Sequence, residues 1–187
     1  IVCSACIAGE VPAKILKGDI AGAREACEWY HNLFGDDYYL ELQRHKVPDD
    51  PSLLANREAY ELQQKANKEL IEFAREYGIK LVCTNDCHFE DKETAEAHDH
   101  LLCIATGKDL DDPNRMRYSK QEWFKTREEM NEVFADVPEA LSNTLEVLDK
   151  VEIYSIDHGP IMPFFPIPES FGTEEQLRQK VSEEDLY

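Results

Sequence analysis

Residues 79–88, IKLVCTNDCH, form the stretch of this sequence that decides the fold. Apolar and β-branched residues dominate positions 79–84, which predicts a buried strand with Lys80 at its mouth. Polar residues follow at once, and Asp86 and His88 stand two positions apart just beyond the strand. The stretch therefore predicts a buried strand that ends in side chains able to bind a ligand or carry chemistry.

Strand-like and helix-like stretches alternate on the amino-terminal side of that strand. The pattern predicts strands at 1–5 and 38–43, and helices at 10–17, 19–35 and 52–78. Strands that alternate with long helices pair in parallel, so we expect an α/β fold. The three strands are too few to close a barrel, but they are enough for a segment of one.

The pattern changes after Asn85 and becomes mostly helical. Helices are predicted at 93–106, 128–134 and 138–151, with a polar loop at 108–117. These helices have no strands between them, so they extend the α/β part of the chain without adding to its sheet.

A proline-rich stretch follows the last of these helices. Prolines at 160, 163, 166 and 168 forbid a helix or a central strand there, which predicts an extended connector. For the acidic tail from Thr173 the sequence allows either a helix or a frayed end. We therefore divide the chain into residues 1–157 and a connector with an acidic segment at 158–187.

The charge balance is strongly acidic. Lys and Arg number 20 against 39 Asp and Glu, which gives a net charge of −19. Because nucleic-acid affinity depends on Lys and Arg that neutralise phosphates, we expect no direct DNA binding by this chain. No apolar run reaches the roughly 20 residues of a membrane helix, and no signal peptide opens the chain, so a cytoplasmic protein without membrane contact is expected. The first residue is Ile1 rather than Met, which indicates a chain that begins inside a longer polypeptide.

Asp86 and His88 are candidate metal ligands. Residues two apart in extended chain point the same way, so the two side chains can converge on one point. A carboxylate and an imidazole suit a divalent cation such as Zn²⁺ or Mn²⁺, and sites gather at the carboxyl ends of strands. The alternative is a turn in which Asp86 caps the following segment and His88 is merely exposed. Spacing alone leaves both interpretations open.

Cys6 follows the first predicted strand, and its thiolate can reach the same point. The alternative for Cys6 is a small buried apolar residue, which is the usual role of a free cysteine. Cys3 lies deeper in the apolar run and is predicted to be in the core.

Glu41 and the two histidines His98 and His100 are further candidate functional side chains. Glu41 stands inside an apolar strand, where a charge is costly unless it is paired or hydrogen-bonded, so it is either an acid that supports a ligand or one half of a buried ion pair, for which Arg44 is a candidate partner. His98 and His100 are two apart on a predicted helix, where they do not face each other, so they make a poor chelating pair. We expect one of them to pack under the sheet and the other to face water.

Several stretches together resemble the PHP domain of the alpha subunits of bacterial DNA polymerase III, the C family of replicative polymerases. The order and spacing of these stretches, and the proline-rich ending, agree with that family, and the resemblance covers nearly the whole chain. They are IVCSACIAGE (1–10), YLELQRH (39–45), VCTNDCHF (82–89), residues 97–98, residues 110–113, residues 134–144 and the prolines of 163–168.

The resemblance implies the later strands and helices of a distorted (β/α)7 barrel of the PHP type. In that fold up to three metals bind at the carboxyl ends of the strands. Asp86 and His88 match two family ligands, and Cys6 matches a third, with Ala5 in place of the usual glycine. The family's opening H-x-H motif and its next His and Glu ligands have no counterpart here. The resemblance therefore implies an incomplete metal site in this chain.

The resemblance also implies a parent enzyme, a DNA-directed DNA polymerase. Such an enzyme extends a primer-template with deoxynucleoside triphosphates and Mg²⁺, alongside the other polymerase III holoenzyme subunits. Its polymerase aspartates would lie beyond Tyr187, so we expect no catalytic residue of nucleotidyl transfer here and no activity from this chain alone. In some relatives the PHP site, with Zn²⁺ or Mn²⁺, is a 3′–5′ exonuclease that can proofread.

Two alternatives stay open from the sequence. The domain can be a metal-free scaffold that docks a proofreading subunit. It can also be a free-standing PHP phosphoesterase of the histidinol-phosphatase kind, although the stretch 110–113 and the connector after His158 argue against that alternative. A metal titration separates the scaffold from the metal enzyme.

Overall fold

The computed structural model describes most of the chain and divides it into two units, Ile1–Val151 and Glu152–Tyr187. The described residues are 1–49 and 57–164, together with residues 166, 170, 172, 173, 175, 176 and 179. The division of the sequence at residue 157 stays a prediction.

A three-stranded parallel sheet organises the first unit. Its strands are β1 (Val2–Cys3), β2 (Tyr38–Gln43) and β3 (Lys80–Thr84), in the order β1-β2-β3. The pairs of β2 with β3 run from Tyr39 opposite Lys80 to Gln43 opposite Thr84, and both strands run in the same direction. The predicted α/β fold with parallel pairing is confirmed.

Three helices connect the strands. They are α1 (Glu10–Leu16), α2 (Ile20–Phe34) and α3 (Glu58–Tyr77). The side chain of Asp19 caps α2 by accepting from the Gly22 amide at 3.0 Å, as a short polar residue at a helix start does. Gly78 ends α3 in the left-handed conformation, with φ 68°, which glycine adopts without steric penalty. The predicted start of the third helix at Ser52 lies outside the described residues.

Three more helices follow the sheet. They are α4 (Ala95–Thr106), α5 (Arg127–Val133) and α6 (Pro138–Asp149). α6 lies against β3, where the Asn143 side chain donates to the Leu81 carbonyl at 2.8 Å. This contact covers one face of the sheet beside its last strand.

The apolar core lies between the sheet and the helices packed on it. β2 is its centre, because nearly every side chain of that strand is buried. Side chains from α1, α2 and α3 contribute, and so does the segment between α5 and α6. The core includes Val11, Ile15, Ala23, Cys27, Leu40, Leu42, Leu70, Phe73, Phe134 and Ala140.

Cys3 is not in this core. Its side chain is exposed, so the prediction of core packing is wrong. The reason is that β1 is only two residues long and lies at the edge of the described sheet, where Cys3 meets no packed layer.

In the second unit, residues 152–164 carry neither helix nor strand and are exposed. This agrees with the predicted connector over its described part. The predicted acidic segment from Thr173 lies mostly outside the described residues. No helix in the described part of the chain is long and apolar enough to cross a membrane.

We expect Leu70→Ala to lower the free energy of unfolding by about 2–5 kcal/mol, because it opens a cavity between α3 and the sheet. Leu70 is 1% exposed. Urea unfolding followed by circular dichroism measures the change. The exposed neighbour Lys68 on the same helix provides the control, and Lys68→Ala is expected to stay within about 0.5 kcal/mol of wild type. Equal unfolding midpoints for the two variants would contradict the described core.

Candidate metal centre

The chain leaves β1 and β3 through residues in the left-handed backbone region. Ala5 has φ 62° and Asp86 has φ 48°. Residues other than glycine seldom adopt this conformation, and it persists where the surroundings impose it. Cys6 and Asp86 therefore project from sharply turned chain just beyond the carboxyl ends of two parallel strands.

Asp86 and His88 lie side by side, but Asp86 has left-handed rather than extended backbone, so strand alternation is not the reason. The His88 Nδ1 atom lies 2.6 Å from the main-chain oxygen of Asp86 and 3.9 Å from its carboxylate Oδ1. A carbonyl oxygen only accepts, so Nδ1 carries the proton and donates it. The Nε2 atom then keeps its lone pair. A metal-binding histidine has this arrangement, with one ring nitrogen bonded to a carbonyl and the other free for the metal.

The His88 ring is part of a group of packed ring side chains. The group consists of His88, Phe89, His98 and Tyr118. We call it the ring cluster. The ring centroid of His88 lies 4.4 Å from that of Tyr118 and 5.6 Å from that of His98, and His98 lies 5.3 Å from Phe89. The cluster restricts the rotation of the His88 imidazole, which favours one direction for Nε2.

The ring cluster corrects one prediction. His98 is half-buried beside His88 rather than under the sheet, whereas His100 is exposed on α4 as expected. The reason is the intervening residue. Asp99 is buried in an ion pair with Arg115, at 2.6 Å, and this pair fixes the rotation of α4 so that His98 faces the strand ends.

Cys6 is half-buried in a tight turn after β1. The Gly9 amide donates to the Cys6 carbonyl at 2.8 Å, and a Cβ atom at Gly9 would lie 2.1 Å from the Ser4 oxygen, so only glycine fits. Cys6 lines a small pocket together with Glu41 and Gln43 of β2, which places it near the carboxyl end of that strand.

The described residues contain no group of three His, Cys, Asp or Glu side chains arranged to hold a metal ion. Asp86 and His88 form a pair, and Cys6 lies in their neighbourhood without completing a third ligand position. The assignment of these three residues as metal ligands stays a prediction.

Glu41 does not pair with Arg44, so that prediction is wrong. Glu41 accepts hydrogen bonds from Thr84 and from Gln43 instead. Arg44 donates to the carboxylate of Asp136, because residues three apart along an extended chain project to opposite sides. Glu41 is thereby tied to the end of β3.

A buried polar network lies at the strand ends, and no local sequence pattern predicts it. The His45 main-chain amide donates to Gln63 Oε1 at 2.8 Å, which orients the Gln63 amide so that its Nε2 donates to His45 Nδ1 at 2.9 Å. The other ring nitrogen of His45 then donates to the Asn85 carbonyl at 2.9 Å. The network fixes the chain next to Asp86 to β2 and α3.

Asn85 and Glu122 extend this network to the loop at residues 119–123. The Asn85 amide nitrogen donates to the carbonyls of Gln121 and Trp123, at 3.1 and 2.7 Å. Its Oδ1 atom is buried and accepts from no described group, which leaves an acceptor beside Asp86. Buried Glu122 accepts from the Ser119 amide and hydroxyl, a pattern that the spacing Ser-x-x-Glu signals in a sequence.

Burial sets the protonation of two groups in this region. It lowers the pKa of His45, and the nearby carboxylate of Glu122, 3.4 Å from Nδ1, only partly opposes the effect. It also lowers the pKa of Lys125 to about 8, although Glu122 and Glu129 oppose this. The Lys125 ammonium lies over the Trp123 ring, 3.4 Å from its centroid.

Comparison with known proteins agrees with this architecture. A family model described as the PHP domain matches residues 1–45. DNA polymerase III subunit alpha of Borreliella burgdorferi is 36% identical over 189 residues, which cover 100% of this chain and 15% of that protein. The same subunit of Campylobacter jejuni is 35% identical over 95% of this chain, and that of Mycobacterium tuberculosis is 31% identical over 97%, each match again covering 15% of the relative.

The chain belongs to the DNA polymerase III alpha subunit family. The resemblance stated from the sequence is therefore confirmed, including the PHP domain at its start. The chain spans 15% of the length of these relatives.

We expect the stability of the protein to fall as the pH falls below about 6.5, the ordinary pKa of histidine. The unfolded chain takes up a proton on His45 there, whereas burial keeps the folded ring neutral, so the unfolded state binds more protons. In His45→Gln the fall between pH 7 and 5 is shallower, by at most about 1.4 kcal/mol per pH unit. Urea unfolding at several pH values measures the slopes.

The matched control for that experiment is His100→Gln, because His100 is exposed on α4. Its slope is expected to equal that of wild type. Identical slopes for all three proteins would show that His45 takes no part in the pH dependence.

Proposed function

We propose that this chain is the part of a replicative DNA polymerase alpha subunit that contributes Asp86, His88 and Cys6 to a divalent-metal site. The metal is Zn²⁺ or Mn²⁺, and the reaction is 3′–5′ exonucleolytic removal of nucleotides in the complete PHP domain. The observation that carries the proposal is the His88 imidazole, whose Nδ1 atom is bonded to the Asp86 carbonyl at 2.6 Å. Its free nitrogen and the Asp86 carboxylate then serve one ion.

The residues present fit such an ion. The Nε2 atom of His88 and the Asp86 carboxylate are the nitrogen and oxygen donors that Zn²⁺ and Mn²⁺ accept, and the carboxylate lies 3.9 Å from the Nδ1 atom of the same ring. Their side chains are 30% and 44% exposed, so a substrate phosphate can approach from solvent. A bound metal ion would activate water and stabilise charge on that phosphate. The further ligands would come from parts of the protein outside this chain.

The protein around the pair orients it. The ring cluster limits rotation of His88, and the His45 network fixes the strand end from which Asp86 projects. Positioned ligands of this kind keep a site in its working geometry before the substrate arrives. This is the contribution that the described residues make to the reaction.

The parent protein is proposed to be a DNA-directed DNA polymerase that uses a primer-template, deoxynucleoside triphosphates and Mg²⁺. Two similar proteins that carry the name DNA polymerase III subunit alpha support this proposal. The net charge of −19 disfavours phosphate binding by this chain, so other regions, with the other holoenzyme subunits, are proposed to hold the DNA. The proposed location is the cytoplasm.

A scaffold role is the second candidate. The hydrogen bonds that join His45, Gln63 and the Asn85 carbonyl are all between protein groups, and they stabilise the strand ends without a metal. A domain without metal-dependent activity needs only a stable structure of this kind to dock a proofreading subunit. The scaffold and the metal enzyme differ in whether Asp86 and His88 bind an ion.

We expect the full-length alpha subunit to carry Zn²⁺ or Mn²⁺, and Asp86→Ala and His88→Ala each to lose at least one metal equivalent together with 3′–5′ exonuclease activity. Removing either donor leaves the ion too few ligands to stay bound. Elemental analysis gives the metal content, and release of nucleotides from a labelled primer without deoxynucleoside triphosphates gives the activity.

His100→Ala removes an exposed histidine of α4 from outside the ring cluster, and it is the control. It is expected to keep the metal and the activity. Unchanged metal content in both ligand variants would remove Asp86 and His88 from the site and leave the scaffold role.

A further inference from the structure

An apolar pocket lies directly beside the candidate metal pair. It is a shallow depression of about 390 Å³ that opens widely to solvent, and its volume lies within the range of small-ligand sites. His88 belongs both to the pair and to the pocket lining. The other lining residues include Phe89, Thr94, Ala97, His98 and Leu101.

The fold builds this pocket from two rigid pieces. Ala97 and Leu101 are one turn apart on α4, so they share a face of the helix. Phe89 is held by its main chain, which accepts from the Phe124 amide at 3.1 Å. The rings of Phe89 and His98 lie 5.3 Å apart at an angle of 37°. The pocket therefore has aromatic and aliphatic walls that do not depend on a mobile loop.

The charge of the pocket restricts its occupant. Glu90 is among the lining residues, and its carboxylate repels a phosphate and accepts from N–H groups. Leu101 is 59% exposed, so apolar surface is available to cover a ligand. The pocket consequently suits a flat, uncharged ring system with N–H donors rather than an anion.

We propose that this pocket binds the nucleobase of the nucleotide whose phosphate lies at the Asp86–His88 pair. His88 belongs both to the pair and to the pocket lining, so a base in the pocket and a phosphate at the pair would both lie beside this residue. Bases stack on aromatic side chains with roughly 1–3 kcal/mol per base, whatever their sequence. The inference rests on the proposed function, because it names the part of the nucleic-acid end that the same site recognises.

The test compares two ligands that differ by the base alone. Binding of deoxyadenosine monophosphate and of 2-deoxyribose 5-phosphate to this chain is measured by NMR titration without added metal. Wild type is expected to bind the nucleotide at least tenfold more tightly. Leu101→Glu places a charge in the pocket wall and is expected to reduce nucleotide affinity to that of the sugar phosphate.

Ile104→Glu is the matched control. Ile104 lies on the same helix, is 79% exposed and does not line the pocket. It is expected to bind both ligands as wild type does. Equal affinities of wild type for the two ligands, or equal losses in the two glutamate variants, would overturn the nucleobase pocket.

The outcome is separable from that of the metal experiment. If nucleotide binding depends on Leu101 while Asp86→Ala keeps its metal and its activity, the exonuclease proposal fails and the nucleobase pocket stands. If Asp86→Ala loses the metal while wild type does not distinguish the two ligands, only the nucleobase pocket fails.

Discussion

The parallel register of β2 with β3 is the constraint on which the rest of the structure depends. It places Gln43 opposite Thr84, so the two strands finish level at the same edge of the sheet. His45 and Asn85, just beyond those ends, meet at 2.9 Å. A slip by one residue would reverse every side chain of the strand and separate these partners. The buried network and the Asp86–His88 pair both follow from that register.

The parts of the fold that local chemistry decides could be predicted from the sequence. Asp19 and Gly78 mark helix ends because one offers a short acceptor and the other a left-handed backbone, and both effects act within a turn. Cys3, Arg44 and His98 were placed wrongly because their surroundings come from elsewhere in the chain. The short edge strand exposes Cys3, Asp136 attracts Arg44, and the ion pair of Asp99 turns His98 toward the strand ends.

The candidate site was predictable to the same limited extent. Asp86 and His88 are close in the sequence, and the turned backbone at Asp86 presents its carbonyl to the His88 ring within two residues. The supporting residues His45, Gln63 and Glu122 gave no such signal, since they lie on three separate segments that meet only when the sheet has formed. Resemblance to a family suggests Cys6, Asp86 and His88 as ligands, which stays a prediction, whereas the orientation of the imidazole follows only from the three-dimensional structure.

The backbone at Asp86 connects strain with a possible chemical role. Outside glycine, left-handed backbone is commonest at aspartate and asparagine, whose short polar side chains can hydrogen-bond locally. In this chain the turned backbone presents the Asp86 carbonyl to His88 Nδ1 at 2.6 Å while its carboxylate stays 3.9 Å from the same ring. The strained residue thus sets the tautomer of the histidine beside it. The turned backbone at Asp86 therefore positions two donor groups of the proposed metal site through a contact between residues only two apart.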